Sequence, residues 1–333
     1  MKNLTRLLAY YLLPTSCLLL VASCSNPENT KEQETSNEKP GTALPPAPSF
    51  NSDSAFAFVK AQVDFGPRVP GTNAHAKCAE YLSSKLKSYG WEVQIQTANI
   101  TTYDRKTFAL KNIIASYKPE NPNRILLLSH WDTRHIADGD TVARDKPGDG
   151  ADDGGSGVGV LLEIARQLGS SKANVGIDIL LDDIEDYGDQ GRNDEDTWCL
   201  GTQYWAKNPH KPGYVAQYGI LLDMVGAKGA TFPREGNSVE FAPYVVKKIW
   251  NKAAHLGYSN YFLFQDCSAI TDDNYYVITK ANIPCVDIIN MNPASCRFGS
   301  YHHTHRDNLD NIDRNTLKAV GQTILEVVWE EQK

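Results

Sequence analysis

The stretch Ile177-Asp178-Ile179-Leu180-Leu181-Asp182-Asp183-Ile184-Glu185-Asp186 joins a mainly apolar run to a row of carboxylates. The apolar run predicts a buried strand, so the carboxylates that follow must lie at the carboxyl end of that strand. In open α/β sheets, ligands bind in the crevice at the carboxyl ends of the strands. This stretch therefore predicts both a strand and the location of the functional site.

Two more apolar runs end in the same way. The run at 125–128 leads into Ser129-His130-Trp131-Asp132, and the run at 220–222 leads into Asp223. Between the first run and the opening stretch, the Gly-rich segment Gly148-Asp149-Gly150-Ala151-Asp152-Asp153 precedes a predicted helix. Far downstream, three histidines occur in Tyr301-His302-His303-Thr304-His305. Carboxylates and imidazoles that separate strands bring to one edge of a sheet can converge on one point, which is typical of a zinc enzyme.

Helix-like and strand-like segments alternate along the chain. Apolar spacing predicts helices at 54–63, 72–86, 156–168, 201–207, 242–256 and 313–331, and strands at 91–101, 110–117, 125–128, 175–181, 218–223 and 283–289. The alternation predicts an α/β fold, with a single globular catalytic domain over residues 51–333 and a central mixed, mostly parallel sheet flanked by helices. We expect the long loops at 133–150, 187–198 and 227–240 to wall the site.

The first residues have the pattern of a targeting segment. Lys2 and Arg6 precede an apolar stretch, and small residues lead to Cys24 in Leu20-Val21-Ala22-Ser23-Cys24. Small residues mark a cleavage site, and a cysteine at the cut resembles the bacterial lipobox. The resemblance implies a signal peptide at 1–23, lipidation of Cys24 and a flexible tether over 24–50. We expect an exported lipoprotein on the periplasmic side of the outer membrane, held by its lipid alone; a secretory signal or an uncleaved anchor is the alternative.

The composition indicates which partners the chain can bind and which kinds of metal site it can form. With 333 residues, 41% of them hydrophobic, the chain can bury a sizeable core. The net charge is −7 and Lys and Arg do not cluster, so we expect no nucleic-acid partner, and we expect a monomer.

Five cysteines follow Cys24 without any Cys-x-x-Cys pair, which argues against a thiolate zinc site and leaves at least one thiol free. Cys285 lies in an apolar run and is expected in the core.

The acidic residues and the late histidines suggest metal chemistry, although each has a simpler explanation. Asp153 could bind a metal or cap the following helix, and adjacent Asp152 is the less suitable ligand. In the Glu185-Asp186 pair, one carboxylate can bind metal while its neighbour acts as general base and acid; the alternative is a solvated acidic loop. Asp223 ends an apolar strand, where an uncompensated charge is costly, so it needs a partner.

Taken in order, these segments resemble the zinc-dependent exopeptidase superfamily of the M28 type. Its pattern is His-x-Asp, an Asp in a Gly-rich helix start, a Glu-Glu or Glu-Asp pair, an Asp after a strand, and a late His. The likeness covers nearly everything from residue 51 to the end. Three segments further resemble its glutaminyl cyclase branch, in particular the bacterial members of the animal type: Leu221–Ala227 followed by Thr231-Phe232-Pro233, Asp272-Asp273, and the His303-Thr304 turn.

The resemblance implies a reaction and a set of roles. One zinc would be held by Asp153, Asp186 and His303, with Glu185 as acid and base. The hydrogen-bonding network beside it would be Asp223 and Asp272, and the candidates for the substrate wall are Trp198, Phe298 and His302. The reaction would convert the N-terminal Gln of a peptide or protein to pyroglutamate with release of ammonia. The chain departs from the animal enzymes at two positions, where Asp186 replaces Glu and His302 replaces Trp.

Other functions stay open on the residues alone. In a two-zinc aminopeptidase, His130 and Asp223 would bind a second metal, Asp153 would bridge both metals, and Glu185 would activate water. A binding or scaffold protein could keep the fold without the chemistry. A carbohydrate-active enzyme could use paired carboxylates and would not require His303.

Overall fold

The computed structural model describes residues 44–171, 173–191 and 194–332. The predicted signal peptide, Cys24 and the predicted tether up to residue 43 lie outside the described residues. The strands are β1 Glu92–Gln96, β2 Asn99–Thr101, β3 Thr107–Ala109, β4 Asn112–Tyr117, β5 Arg124–His130, β6 Gly176–Asp182, β7 Gly219–Asp223, β8 Phe232–Arg234, β9 Phe262–Asp266 and β10 Cys285–Ile289. The α-helices are α1 Ser52–Val63, α2 Asn73–Ser88, α3 Gly155–Ser171, α4 Leu200–Lys207, α5 Gly236–Phe241, α6 Pro243–His255, α7 Asp273–Ala281 and α8 Arg314–Glu330.

The central sheet has six strands in the order β1-β4-β6-β5-β7-β10. The strands β6, β5, β7 and β10 run parallel, while β4 is antiparallel to β6 and β1 is antiparallel to β4. The prediction of an α/β domain with a mixed, mostly parallel sheet is therefore confirmed. Strands β5, β6 and β7 are buried along their whole length, as expected when helices cover both faces of parallel strands.

Alternate residues of the central strands pack into two separate cores. Leu127, Ile179 and Leu222 face the larger core, which also includes residues of α1, α3, α6 and α8. Leu128 and Leu221 face the smaller core, to which α4 and α7 contribute. Because successive side chains of a strand point to opposite faces, these apolar runs hold helices on both sides of the sheet. The carboxyl ends of these strands lie outside both cores and can carry polar groups.

Glycines at the start of α3 let the helix approach the strand ends closely. A Cβ atom on Gly157 would lie 2.2 Å from the carbonyl oxygen of Leu222 on β7. A Cβ on Gly154 would lie 2.2 Å from the carbonyl oxygen of His130 on β5. Only glycine fits such contacts, so this segment brings the preceding residue, Asp153, directly over the edge of the sheet.

Several elements were not predicted from the sequence. The predicted strand at 91–101 divides into β1 and β2, and β2 pairs with the unpredicted β3. Strands β8 and β9 and helices α5 and α7 were also missed. The segment 227–240, predicted to wall the site, instead contains β8 and most of α5. Phe232 of β8 is fully buried against Phe262 and Trp250, so this segment packs in the core.

The described cysteines are partly paired. Cys267 and Cys296 form a disulfide, while Cys78, Cys199 and Cys285 are free and buried. The expectation of at least one free thiol is confirmed, and Cys285 lies in the smaller core as predicted. Across the described ranges, no helix is both long enough and apolar enough to span a bilayer.

Candidate active site

A cavity of about 560 Å³ opens at the carboxyl ends of the central strands. It is lined by all the residues predicted to act in catalysis, metal binding or substrate binding, namely Asp153, Glu185, Asp186, Trp198, Asp223, Asp272, Phe298, His302 and His303. Further lining residues come from the predicted wall loop 187–198 and from Ala269, Ile270 and Thr271. The predicted wall segments 133–150 and 227–240 do not line it. Residues of 133–150 instead line a smaller cavity that shares Asp153, Asp186 and His303. The structure thus brings the predicted site residues together.

His303 is the point at which the predicted metal ligands meet. Its Nε2 lies 3.1 Å from Oδ1 of Asp186 and 3.8 Å from Oδ2 of Asp153. His302 lies beside it, with Nε2 3.7 Å from the same Asp153 oxygen. Ligand atoms of Asp153, His302 and His303 all lie within 4.8 Å of one another. His302 is therefore near a possible metal position as well as in the substrate wall.

The orientation of His303 is fixed by residues that sequence reasoning missed. Its Nδ1 lies 3.4 Å from Oδ1 of Asp138. Arg134 donates to both oxygens of Asp138, at 2.8 and 2.6 Å, and to the backbone carbonyl of Asp186 at 3.1 Å. Burial lowers the pKa of His303, but the charge of Asp186 and the hydrogen bond with Asp138 raise it to about 9. The only sequence signal for these residues was their place in the predicted wall loop 133–150.

Asp153 is held at the edge of the sheet by its own backbone. Asp307 accepts hydrogen bonds from the backbone N–H groups of Asp152 and Asp153, at 2.8 and 3.2 Å. The carboxylate of Asp152 is occupied elsewhere, because it accepts from the N–H of Gly226 at 2.7 Å and from the hydroxyl of Tyr301 at 2.5 Å. Burial raises the pKa of Asp152 to about 7. Asp152 thus anchors the loop while Asp153 presents its carboxylate to the histidines.

His130 connects Asp153 with Asp223. Its Nε2 lies 3.0 Å from Oδ1 of Asp153 and 3.2 Å from Oδ1 of Asp223. Burial lowers the pKa of His130, but hydrogen bonds with Asp132, Asp153 and Asp223 together hold it well above its usual value. Asp223 therefore has the partner that its position requires. Ligand atoms of these three residues, His130, Asp153 and Asp223, also lie within 4.8 Å of one another, as a second metal would need.

The Glu185-Asp186 pair is positioned through its backbone. Asp132, the second residue after β5, accepts hydrogen bonds from the N–H groups of Glu185 and Asp186, at 3.1 and 3.3 Å. This contact is not visible in the sequence, although His130-Trp131-Asp132 was recognised as a motif. It places Asp186 toward His303 and leaves the Glu185 side chain in the cavity.

The Glu185 side chain lies among other acidic groups. Burial and the nearby charges of Asp273 and Asp186 raise the pKa of Glu185 well above its usual value. Burial and Asp223 do the same for Asp272, and burial raises the pKa of Asp223 to about 6. Asp272 also caps α7 by accepting from the N–H of Asp273. Several buried carboxyls with raised pKa values can hold and pass protons near neutral pH.

Aromatic side chains form the wall above these groups. The ring of Trp198 lies parallel to that of His303 at 6.0 Å between centroids, and the guanidinium of Arg134 stacks on Trp198 at 4.6 Å. Phe298 packs against His302 with centroids 4.6 Å apart. The site therefore combines an acidic, metal-competent floor with an apolar wall, a common design of small-molecule and peptide sites.

The comparisons with known proteins agree with this geometry. Residues 112–328 match the sequence profile of peptidase family M28. The glutaminyl-peptide cyclotransferase of Drosophila melanogaster is 23% identical over 281 residues, 78% of this chain and 75% of that protein. The structure of a glutaminyl cyclase from Porphyromonas gingivalis has a TM-score of 0.82 and 52% identity, covering 85% of this chain and 99% of that one. A Zn-dependent exopeptidase from Parabacteroides distasonis has a TM-score of 0.83 and 54% identity, with the same coverage of 85% and 99%.

Proposed function

This chain belongs to peptidase family M28, and we propose that it is a zinc-dependent glutaminyl-peptide cyclotransferase. The reaction converts the N-terminal Gln of a peptide or protein to pyroglutamate and releases ammonia. The observation that carries the proposal is the convergence of Asp153, Asp186 and His303 at the floor of a cavity that also contains Glu185. The similarity to the Porphyromonas gingivalis glutaminyl cyclase supports it.

The residues at the floor fit a single zinc ion. Catalytic zinc sites use three protein ligands of nitrogen and oxygen type and keep one position open. Asp153, Asp186 and His303 supply such a set, and a cation there would neutralise the charge that now raises the pKa of His303. When bound, zinc supplies a Lewis acid that polarises the side-chain amide carbonyl of the substrate Gln. Asp138 would then orient His303 from its other ring nitrogen.

Glu185 moves the proton in the proposed reaction. The α-amine of the substrate attacks its own side-chain amide carbon, so both reactants arrive in one molecule and much of the entropic barrier is avoided. A C–N bond forms, the bond to the amide nitrogen breaks, and Glu185 carries the proton from the attacking amine to the leaving ammonia. Its side chain lines the cavity next to the proposed metal ligands, within reach of a substrate bound there. Asp223 and Asp272 act as the hydrogen-bonding network next to it.

The wall residues select the shape of the substrate. Trp198, Phe298 and His302 line the cavity and offer aromatic surface to the Gln side chain. We expect the rest of the peptide to run along Ala269–Thr271, which line the same cavity. The proposed partners are therefore peptide and protein N-termini that begin with Gln.

A two-zinc aminopeptidase is the second candidate function, and one observation favours it. His130, Asp153 and Asp223 already form a group with ligand-like spacing. In the cyclase, His130 would instead hold the two carboxylates in place through its contacts with both. Metal analysis separates the two functions, since the aminopeptidase needs two zinc ions per chain and releases free amino acids.

We also propose that the enzyme is an exported, monomeric lipoprotein. The signal-like residues 1–23, the cysteine at position 24 and the polar segment that follows support lipidation of Cys24 and a tether to the periplasmic face of the outer membrane. Labelling of cells with a radioactive fatty acid tests this, because a Cys24→Ala variant should lose the label.

Ammonia release tests the proposed activity. A peptide that begins with Gln is incubated with the enzyme, with and without a zinc chelator, and a peptide that begins with Asn serves as control. We expect stoichiometric ammonia and pyroglutamyl peptide from the Gln peptide, and loss of both with chelator. Release of free amino acids without ammonia would instead identify an aminopeptidase.

A further inference from the structure

Cys199 is a buried thiol that the proposed mechanism does not use. It is fully buried and is not part of the disulfide. Its Sγ donates a hydrogen bond to Oε1 of Glu185 at 3.1 Å. Among the described residues, this thiol is the only side chain that hydrogen-bonds to the Glu185 carboxyl. Ligand atoms of Glu185, Cys199 and Asp272 all lie within 4.8 Å of one another, so the thiol stands between two acidic groups of the site.

The backbone holds Cys199 against Glu185 as well. Cys199 has φ +54°, a left-handed conformation that non-glycine residues rarely adopt. Its N–H donates to the carbonyl of Glu185 at 3.0 Å, and the N–H of Leu200 donates to the carbonyl of Ile184 at 3.1 Å. The segment that carries the wall residue Trp198 is thereby joined to the loop that carries the proposed base. The unusual turn directs the thiol to the carboxyl before α4 begins.

A thiol suits this position chemically. It packs like a small apolar group and is a weak hydrogen-bond donor. Even a weak donor can fix the orientation of a carboxyl when both groups are held in place, as they are here. A serine hydroxyl at the same place could donate the same hydrogen bond.

We propose that Cys199 is a positioning residue for Glu185, and this inference rests on the proposed cyclase function. The thiol holds Oε1 and leaves the second carboxyl oxygen to take the proton of the substrate amine. Loss of the thiol lets the carboxyl rotate, which lowers the rate of the chemical step without changing substrate binding.

The kinetic test compares Cys199→Ala, Cys199→Ser and the control Cys285→Ala, which removes an equally buried thiol from the smaller core. For cyclisation of a Gln peptide, we expect Cys199→Ala to lower kcat about fivefold, as for one lost hydrogen bond, with KM and zinc content unchanged. Cys199→Ser should recover most of kcat, and Cys285→Ala should match the wild type. A wild-type kcat in Cys199→Ala, or a change confined to KM, overturns the proposal, as does equal loss in the Ser and Ala variants.

Absence of cyclisation in the wild type would contradict the proposed function but would not test the hydrogen bond. An infrared measurement tests the hydrogen bond directly, whether or not the enzyme cyclises the peptide. The S–H stretching bands of Cys78 and Cys285 are assigned from their Ala variants, so the Cys199 band is identified in a folded protein. We expect the Cys199 band below the other two in frequency, and shifted upward in Glu185→Ala. A Cys199 band that is indifferent to Glu185 overturns the proposal.

Discussion

Nε2 of His303 lies 3.1 Å from Oδ1 of Asp186, although the two residues come from loops far apart in the chain. The same imidazole is fixed on its other side by Asp138, which Arg134 holds with two hydrogen bonds. A ligand that is oriented in this way is typical of metal sites, where the partner of the second ring nitrogen sets the tautomer. Asp138 and Arg134 thus support the predicted metal ligands, and the sequence alone did not identify these two residues.

His303→Ala should remove zinc and activity together, because among the described residues no other imidazole is held at this point by Asp138. Asp138→Asn should keep the fold and weaken zinc affinity about 10- to 100-fold. Zinc competition with a chromophoric chelator measures both variants. Unchanged zinc affinity in His303→Ala would contradict its role as a ligand.

Glu185→Gln should keep zinc and lose cyclisation about 100- to 10,000-fold, since the amide cannot accept and return the proton. The shape of the side chain is preserved, so KM should change little. Zinc content and kcat are measured on the same sample. A variant with a near-normal rate would rule out Glu185 as acid and base.

The disulfide Cys267–Cys296 should affect substrate binding more than chemistry. Cys267 precedes the wall segment Ala269–Thr271, and Cys296 precedes Phe298, so the bond ties two walls of the cavity together. Cys267→Ser should raise KM several-fold with little change in kcat, and lower the free energy of unfolding by about 3 kcal/mol. Steady-state kinetics and urea unfolding test this, with Cys285→Ser as control. An unchanged KM would show that the walls keep their shape without the bond.

Low pH should lower the free energy of unfolding, because the Asp178 carboxylate becomes protonated. This buried carboxylate receives hydrogen bonds from Arg124 at 2.5 and 2.7 Å. Burial opposes its ionisation, but its hydrogen bonds keep its pKa below the usual value. The stabilisation is therefore complete above the unfolded pKa of about 3.9 and is lost as pH falls below it.

Asp178→Asn should lower the free energy of unfolding by about 3–5 kcal/mol at pH 7, because it leaves the Arg124 charge buried and unpaired. The difference in free energy of unfolding between the variant and the wild type should shrink at about pH 3, where the Asp178 carboxylate of the wild type begins to stabilise the fold less. Urea unfolding at both pH values measures this. Asp64→Asn, which removes the exposed pair with Lys60, is the control and should behave like the wild type. A constant difference at the two pH values would contradict the sign of the pKa shift.

The sequence predicted the residues that lie at strand ends. Glu185, Asp186 and Asp223 follow mainly apolar runs, and such runs fix both the strand and the edge of the sheet at which it ends. The Gly-rich start of α3 placed Asp153 at the same edge. These predictions needed only the period of the apolar pattern and the rule on where ligands bind in open sheets.

The supports of the site could not be predicted in the same way. The hydrogen bonds of Asp138, Asp132 and Cys199 depend on loop conformations, including a left-handed residue at position 199, that no periodicity encodes. Helix α7 is short and begins at a cap, so the wall segment before it had no apolar pattern to mark it. The segment 227–240 is predicted as a wall because it looks like a long loop, although Phe232 within it is fully buried in the core.

Anomalous diffraction at the zinc edge tests most directly whether one cation organises this site. Crystals of the zinc-loaded enzyme should show one peak per chain, within bonding distance of Asp153, Asp186 and His303, with the Glu185 carboxyl unbound beside it. Two peaks, the second held by His130 and Asp223, or a single peak away from His303, would contradict the proposed cyclase.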